Sequence, residues 1–325
     1  MADAQLRQRE GRALGSPLRL SVAGLVEDGL VDEAWGATSD EFARVDRAMS
    51  RYRADSELTE IHRRGGHGPT LSWRLRRGLV AADRARRLTG GRFEPRILRA
   101  LERLGTAAGA QPAPVQPWGD GREPAFEPGT PVVRRRARGA PFELSAPGDL
   151  GGIGKGLALR WAAGRVAATL GPSRGGATGF LLEAGGDLVV DGTVGEAPWS
   201  VAIEDPRGAS APVAAVRLES GWALATSSIR LARWRSHDGR TVHHLIDPLT
   251  AEPASGGLLA VSVAFRDPAW AEGWSKALFV EGAGGSATRA RSRGLAGWWV
   301  ADDGLLSMTP AARAMTFWIR AEATA

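Results

Sequence analysis

Apolar positions recur at two spacings along this chain of 325 residues, and each change of spacing marks an element. Leu18–Gly24 alternates apolar and polar residues with the period of a strand. Phe42, Val45 and Met49 follow at helical spacing, and Thr38 with Glu41 three residues on forms a capping box that predicts the helix start there. A second helix is predicted from Leu71 to Leu88, ended by Gly90-Gly91. Thr106–Ala140 is rich in Pro, Gly, Ala and Arg, and reads as a long, partly mobile loop with a strand inside it. From Phe142 the order is strand, glycine-rich turn, then a helix over Leu157–Leu170. Strand-like runs occupy 180–191, 199–204, 213–218, 222–226 and 258–265. A helix around 269–281 and strands near 296–301, 304–308 and 313–319 complete the chain. Short consecutive strands with few helices between them predict an α+β fold of mainly antiparallel sheets flanked by helices, and the length allows one large domain or two.

Composition narrows the classes. A hydrophobic content of 43% and mean hydropathy of -0.19 belong to an ordinary globular chain, and no run approaches the ~18 apolar residues of a membrane span. The opening residues MADAQLRQREGRALG have no apolar core of a signal peptide, and the absence of cysteine removes disulfides, thiolate metal sites and cysteine nucleophiles. Both features predict a cytoplasmic location. A net charge of +6 and a pI near 10.8 raise nucleic-acid binding. However, the arginines are scattered, their densest cluster (Arg134, Arg135, Arg136, Arg138) falls in the loop-rich stretch, and Tyr52 is the sole tyrosine. The basic balance therefore reads as solvated surface.

Of 42 cationic residues only two are lysine, Lys155 and Lys276. Arginine is a broad planar fork and lysine a compact point charge, so a lysine kept against this bias fits a confined site. Lys155 ends the run Asp149-Leu-Gly-Gly-Ile-Gly-Lys. Glycines let the backbone approach a ligand, and the following helix directs free N–H groups and its positive end at the turn, which favours an anion. The run lacks the Walker A and GxGxxG registers, and a plain tight turn is the competing reading. Lys276 follows Glu272 at i,i+4, either as an exposed ion pair or, since the helix continues Ala-Leu-Phe-Val, as a buried one. In Thr241-Val-His-His-Leu-Ile-Asp-Pro248 a histidine is placed either for base chemistry or for structure.

Taken in order, these segments resemble the FAD:protein FMN transferases, the ApbE-type flavin transferases. The likeness runs through Ala13–Ser16, Met49–Glu57, Gly91–Pro95, Asp149–Gly156, Glu183–Asp187, Thr226–Ser228, His244–Pro248 and Ala271–Leu278. The resemblance implies a single domain over 1–325 that binds FAD, usually with Mg²⁺, and transfers FMN to a Ser or Thr hydroxyl of an acceptor flavoprotein with release of AMP. By position it implies that His244 assists the incoming hydroxyl. It puts Leu14, Tyr52, Arg92, Phe93, Glu94, Asp149, Lys155 and Ile246 against FAD, and Gly152 and Glu272 at a metal. This chain departs from the family pattern in Glu94 for Asp, Arg96 for Thr, His62 for Asn, Ser228 for Gly and Glu272 for Asp. Lys276 stands where the family has a metal-ligating Thr, and an ammonium cannot ligate a cation. The expectation is that Lys276 pairs with Glu272 near the FAD pyrophosphate and reduces the need for Mg²⁺. An outward Lys276 would instead leave a one-sided metal site. A relative that binds or hydrolyses FAD without modifying proteins is the alternative reading.

Overall fold

A computed structural model describes residues 5–68, 70–105, 131–134, 142–171, 176–230 and 232–323. Its centre is an antiparallel sheet of eight strands, in the spatial order Leu6–Ala13, Ser16–Leu25, Gly176–Ala184, Asp187–Gly192, Ala223–Ser228, Leu258–Phe265, Ala296–Ala301 and Leu306–Met308. The helices are α1 (Asp28–Met49), α2 (Glu57–Arg63), α3 (Trp73–Leu88), α4 (Leu98–Leu104), α5 (Gly154–Thr169), α6 (Pro268–Glu281), α7 (Ala283–Ser292) and α8 (Pro310–Met315).

Successive strand side chains point to opposite faces, and in this sheet both faces are covered. Leu20, Leu182, Val261 and Val263 join a core with Phe42 of α1, Leu79 of α3, Leu157 of α5 and Leu278 of α6. Val190, Leu224, Trp298 and Val300 point the other way, into a second core closed by a small sheet of Trp199–Ile203, Ala214–Leu218 and Thr316–Ile319. Two-sided burial explains why the central strands read as near-continuous apolar runs.

Helix α5 packs between α1 and α6, so it has little room for a polar face, and Leu157, Leu159, Ala162 and Val166 are all fully buried. The α5–α6 contact depends on Gly156. A Cβ there would lie 2.5 Å from both Ala269 Cα and Pro268 O. Helix α6 is set by Pro268 in its first turn and by Asp267, whose carboxylate accepts from the N–H groups of Ala269 and Trp270 at 2.9 and 3.4 Å.

Several expectations need correction. Thr38 does not cap a helix: α1 begins ten residues earlier at Asp28, and the buried Thr38 hydroxyl donates to Ala34 O at 2.9 Å. Glu41 is fully buried and accepts from Arg74 of α3 and Arg165 of α5. The strand expected at 313–319 is divided into α8, capped by Thr309, and Thr316–Ile319. The 180–191 run is a hairpin that turns at Gly185-Gly186, both with positive φ. The edge strand Leu6–Ala13 and helices α2, α4 and α7 have no counterpart in the sequence reading. Of the expected 106–140 loop, only 131–134 lies within the described residues; they hold the two-residue strand Val133–Arg134.

Candidate active site

The glycine-rich turn, the centre of α6 and four chain segments meet around one cavity of about 740 Å³. One edge is the hairpin tip Leu14-Gly15, where Leu14 adopts φ 50° and Gly15 φ 75°. With positive φ at both positions this two-residue hairpin turn is of the I′ type. A leucine there is strained by roughly 1–2 kcal/mol, which is tolerated where a side chain must be presented.

A second wall carries Tyr52, Asp149 and Gly152. Asp149 accepts from the Gly151 N–H at 2.7 Å and lies 3.3 Å from Arg51 Nε, and Arg51 donates to the Tyr52 hydroxyl at 2.5 Å while its guanidinium covers the Tyr52 ring. A third wall brings Arg92, Phe93 and Glu94 from the turn after α3. Arg92 is fixed by Glu281 at 2.9 Å. Glu94 and Arg96 form one buried bidentate pair at 2.8 and 2.8 Å. His62 accepts from the Gly148 N–H through Nε2 at 3.2 Å, which holds the start of the glycine turn.

The floor is an ionic cluster. Lys155, in the first turn of α5 and not in the loop before it, places Nζ 2.9 Å from Glu272 Oε1 and 2.8 Å from Asp187 Oδ2. Lys276 Nζ lies 3.1 Å from the same Glu272 oxygen. The other oxygen, Oε2, accepts from the Gly156 N–H at 2.8 Å. Lys276 is therefore turned inward, with only 17% of its side chain exposed. Its stem passes over Gly152, where a Cβ would lie 3.3 Å from Lys276 Cδ and 3.0 Å from Phe93. Burial alone would raise the Glu272 carboxyl, but the two ammoniums and the Gly156 N–H hold it below the ordinary carboxylate range. Burial opposes the charge on Lys155, and Asp187 with Glu272 overcomes it, so this amine stays protonated. Among the described residues no group of three or more His, Asp or Glu side chains is arranged to hold a metal ion.

Two histidines reach this region and differ in kind. His243 is tied to the backbone on both ring nitrogens: Nε2 to Ala254 O at 3.1 Å, and Nδ1 accepting from Leu245 N at 3.3 Å. His244 lines the cavity beside Ile246, and its buried Nδ1 finds no hydrogen-bond partner among the described residues. Burial first, and then chiefly the nearby Lys276 and Lys155 ammoniums, push the His244 imidazole down to about 3, so it is neutral. The wall behind it is a small apolar cluster of α4 with Val242 and Ile246, to which Trp234 is tied through Leu104 O at 2.8 Å.

Eleven of the twelve residues singled out from the sequence line this cavity. The twelfth, Glu272, is fully buried behind it, holding both lysines. Asp187 and Arg51 complete the site and were not among them. Asp187 is legible in hindsight as the acid after the Gly185-Gly186 turn; nothing in the sequence pairs Arg51 with Asp149.

The ApbE family model matches residues 14–298. The chain is 32% identical over 157 residues to the FAD:protein FMN transferase of Klebsiella pneumoniae, covering 48% of this chain and 43% of that protein. It is 36% identical over 167 residues to the one of Rhodobacter capsulatus, covering 51% and 30%. The matched stretch thus spans less than half the length of these curated relatives. The fold resembles the ApbE protein of Thermotoga maritima with a TM-score of 0.80, 24% identity and coverage of 97% of this chain and 100% of that one. It also resembles the apo flavinyl transferase ApbE of Pseudomonas stutzeri, with a TM-score of 0.74, 20% identity and coverage of 98% and 99%.

Proposed function

Because the chain belongs to the ApbE family, we propose that it transfers FMN from FAD to a Ser or Thr hydroxyl of an acceptor protein and releases AMP. The observation that carries this reading is convergence. Segments centred on residues 14, 52, 93, 152, 244 and 276 are scattered along the chain, yet all line one cavity with ammoniums on its floor and a neutral imidazole in its wall. A volume of about 740 Å³ lies within the range of small-molecule sites, roughly 300–1,000 Å³.

The chemistry follows from the charges. The acceptor oxygen attacks the flavin-side phosphorus, a P–O bond forms, and the bond from that phosphorus to the bridging oxygen breaks. AMP leaves with the bridging oxygen, and the hydroxyl proton passes to His244. Lys155 and Lys276 face the diphosphate and offset the charge that gathers on it, as fixed donors in a partly dry site do most effectively. Tyr52 offers a ring at the mouth for a planar group, with its hydroxyl already committed to Arg51. Asp149 and Arg92 are held by Arg51 and Glu281, so they meet the ligand without losing side-chain freedom.

The test is mass spectrometry of an acceptor peptide incubated with FAD and the protein. An added FMN on a Ser or Thr, lost in His244→Ala while FAD still binds, is the expected result. Release of AMP with no adduct on the peptide would replace transfer by hydrolysis, and loss of FAD binding in His244→Ala would make that residue structural.

A further inference from the structure

The Glu272 carboxylate is already fully engaged. One oxygen is shared by two ammoniums at 2.9 and 3.1 Å, and the other accepts a backbone N–H at 2.8 Å. Asp187 is similarly occupied, with Oδ1 accepting from the Thr226 N–H at 3.0 Å and Oδ2 facing Lys155 at 2.8 Å. Two cations against two carboxylates make the cluster neutral before any ligand arrives. A divalent ion inserted here would have to displace an ammonium from Glu272 and sit beside a second one. Neither ammonium has a lone pair to offer it, and each repels it at close range in a poorly screened site. The residues present do not fit a metal at this position.

They do fit a fixed cation. The Lys276 stem lies in a slot between Gly152 and Phe93 that exists because residue 152 has no side chain: a Cβ there would press on Phe93 at 3.0 Å and on the lysine at 3.3 Å. The ammonium is thus positioned by packing along its stem as well as by its ion pair, and it faces the same cavity as Lys155. The geometry points to Lys276 as a fixed ammonium donor to the diphosphate of the bound dinucleotide, which this chain binds without a divalent metal ion. The inference rests on the reading of the cavity as an FAD site and adds to it which ammonium meets the diphosphate.

The experiment is equilibrium binding of FAD, and of ADP as a flavin-free diphosphate, to the wild-type chain in chelator and in excess Mg²⁺. A parallel Mn²⁺ titration is followed by the electron-spin signal of the free ion. Affinity in chelator equal to that in Mg²⁺ within about threefold, or tighter, is expected, with no protein-dependent loss of free Mn²⁺ in the presence of ADP. A loss of about tenfold or more in chelator, or uptake of one Mn²⁺ per chain with ADP, would overturn the inference and leave the FAD reading intact. Failure of both FAD and ADP to bind in either medium would overturn the FAD reading and the inference together. Lys276→Thr is expected to reverse the metal response, with binding weakened in chelator and restored by Mn²⁺. The wild-type comparison decides the matter even if that variant does not fold.

Discussion

Lys155 and Lys276, the only two lysines of the chain, approach a single atom, Glu272 Oε1, from two different helices. Two like charges are brought together because one buried carboxylate lies between them, and that carboxylate also receives the Gly156 N–H. The site and the α5–α6 contact are therefore one structure.

The shared carboxylate makes Glu272 the most costly member of the cluster to remove. Glu272→Gln leaves two ammoniums facing each other with only Asp187 nearby, and breaking a buried pair in this way costs about 3–5 kcal/mol. Lys276→Met leaves Glu272 its bond to Lys155 and is expected to cost less than about 2 kcal/mol. Denaturant midpoints of the two variants check the order, and an equal or inverted effect would refute the shared-anchor description.

Acid should destabilise the fold through two histidines. Burial and Arg99 push His62 down to about 4, and burial with the nearby Lys276 and Lys155 ammoniums pushes His244 down to about 3, from an ordinary value of 6.5. Below that ordinary value the unfolded chain binds protons that the folded chain does not. Stability is thus fully present above about pH 6.5 and declines as pH falls toward 4, at up to ~1.4 kcal/mol per pH unit for each group. His62→Gln keeps an acceptor for the Gly148 N–H and should remove one group's share of the slope. An unchanged slope in chemical denaturation across this range would assign the acid sensitivity elsewhere.

Glycines of α5 predict opposite outcomes for one substitution. At Gly156 a methyl group would meet the α6 backbone at 2.5 Å, so Gly156→Ala must part the helices and should cost about 2 kcal/mol or more. At Gly164 nothing lies within 4 Å, and Gly164→Ala should stabilise by about 0.5–1 kcal/mol through helix propensity alone. Thermal melts of the two variants test the pair, and destabilisation of both would show that α5 is constrained by something other than its contact with α6.

The pair Glu94–Arg96 is expected to behave as a unit. Both side chains are about 5% exposed or less, and the contact is bidentate. A double-mutant cycle to alanine should give a coupling energy above about 1 kcal/mol. Additive single effects would mean that Glu94 and Arg96 act independently of one another.

Much of this was legible because the site is made of short local motifs. The glycine turn, the Glu272–Lys276 spacing and the His244 segment each declare a chemistry within eight residues. The Lys155–Glu272 bond spans 117 residues and leaves no local trace. The Thr38–Glu41 spacing misled because a capping box and a mid-helix hydroxyl with a buried acid share one pattern; Arg74 and Arg165, which claim Glu41, come from other helices. The strand Leu6–Ala13 was missed because it is an edge strand with mostly polar residues, stabilised by backbone pairing to Ser16–Leu25 and not by apolar alternation. Helix α8 was hidden by its length of six residues.

Ile153, at the start of α5, offers no side-chain cap, and the acceptor for the Gly156 N–H arrives from residue 272. The Gly156 N–H therefore has no side-chain acceptor until α6 packs against this turn, and only then do the two ammoniums share their anchor. A chain ending before α6 would carry every glycine of the turn and still lack Glu272 and Lys276. Completion of the polypeptide, more than any single motif, is what arms the cavity.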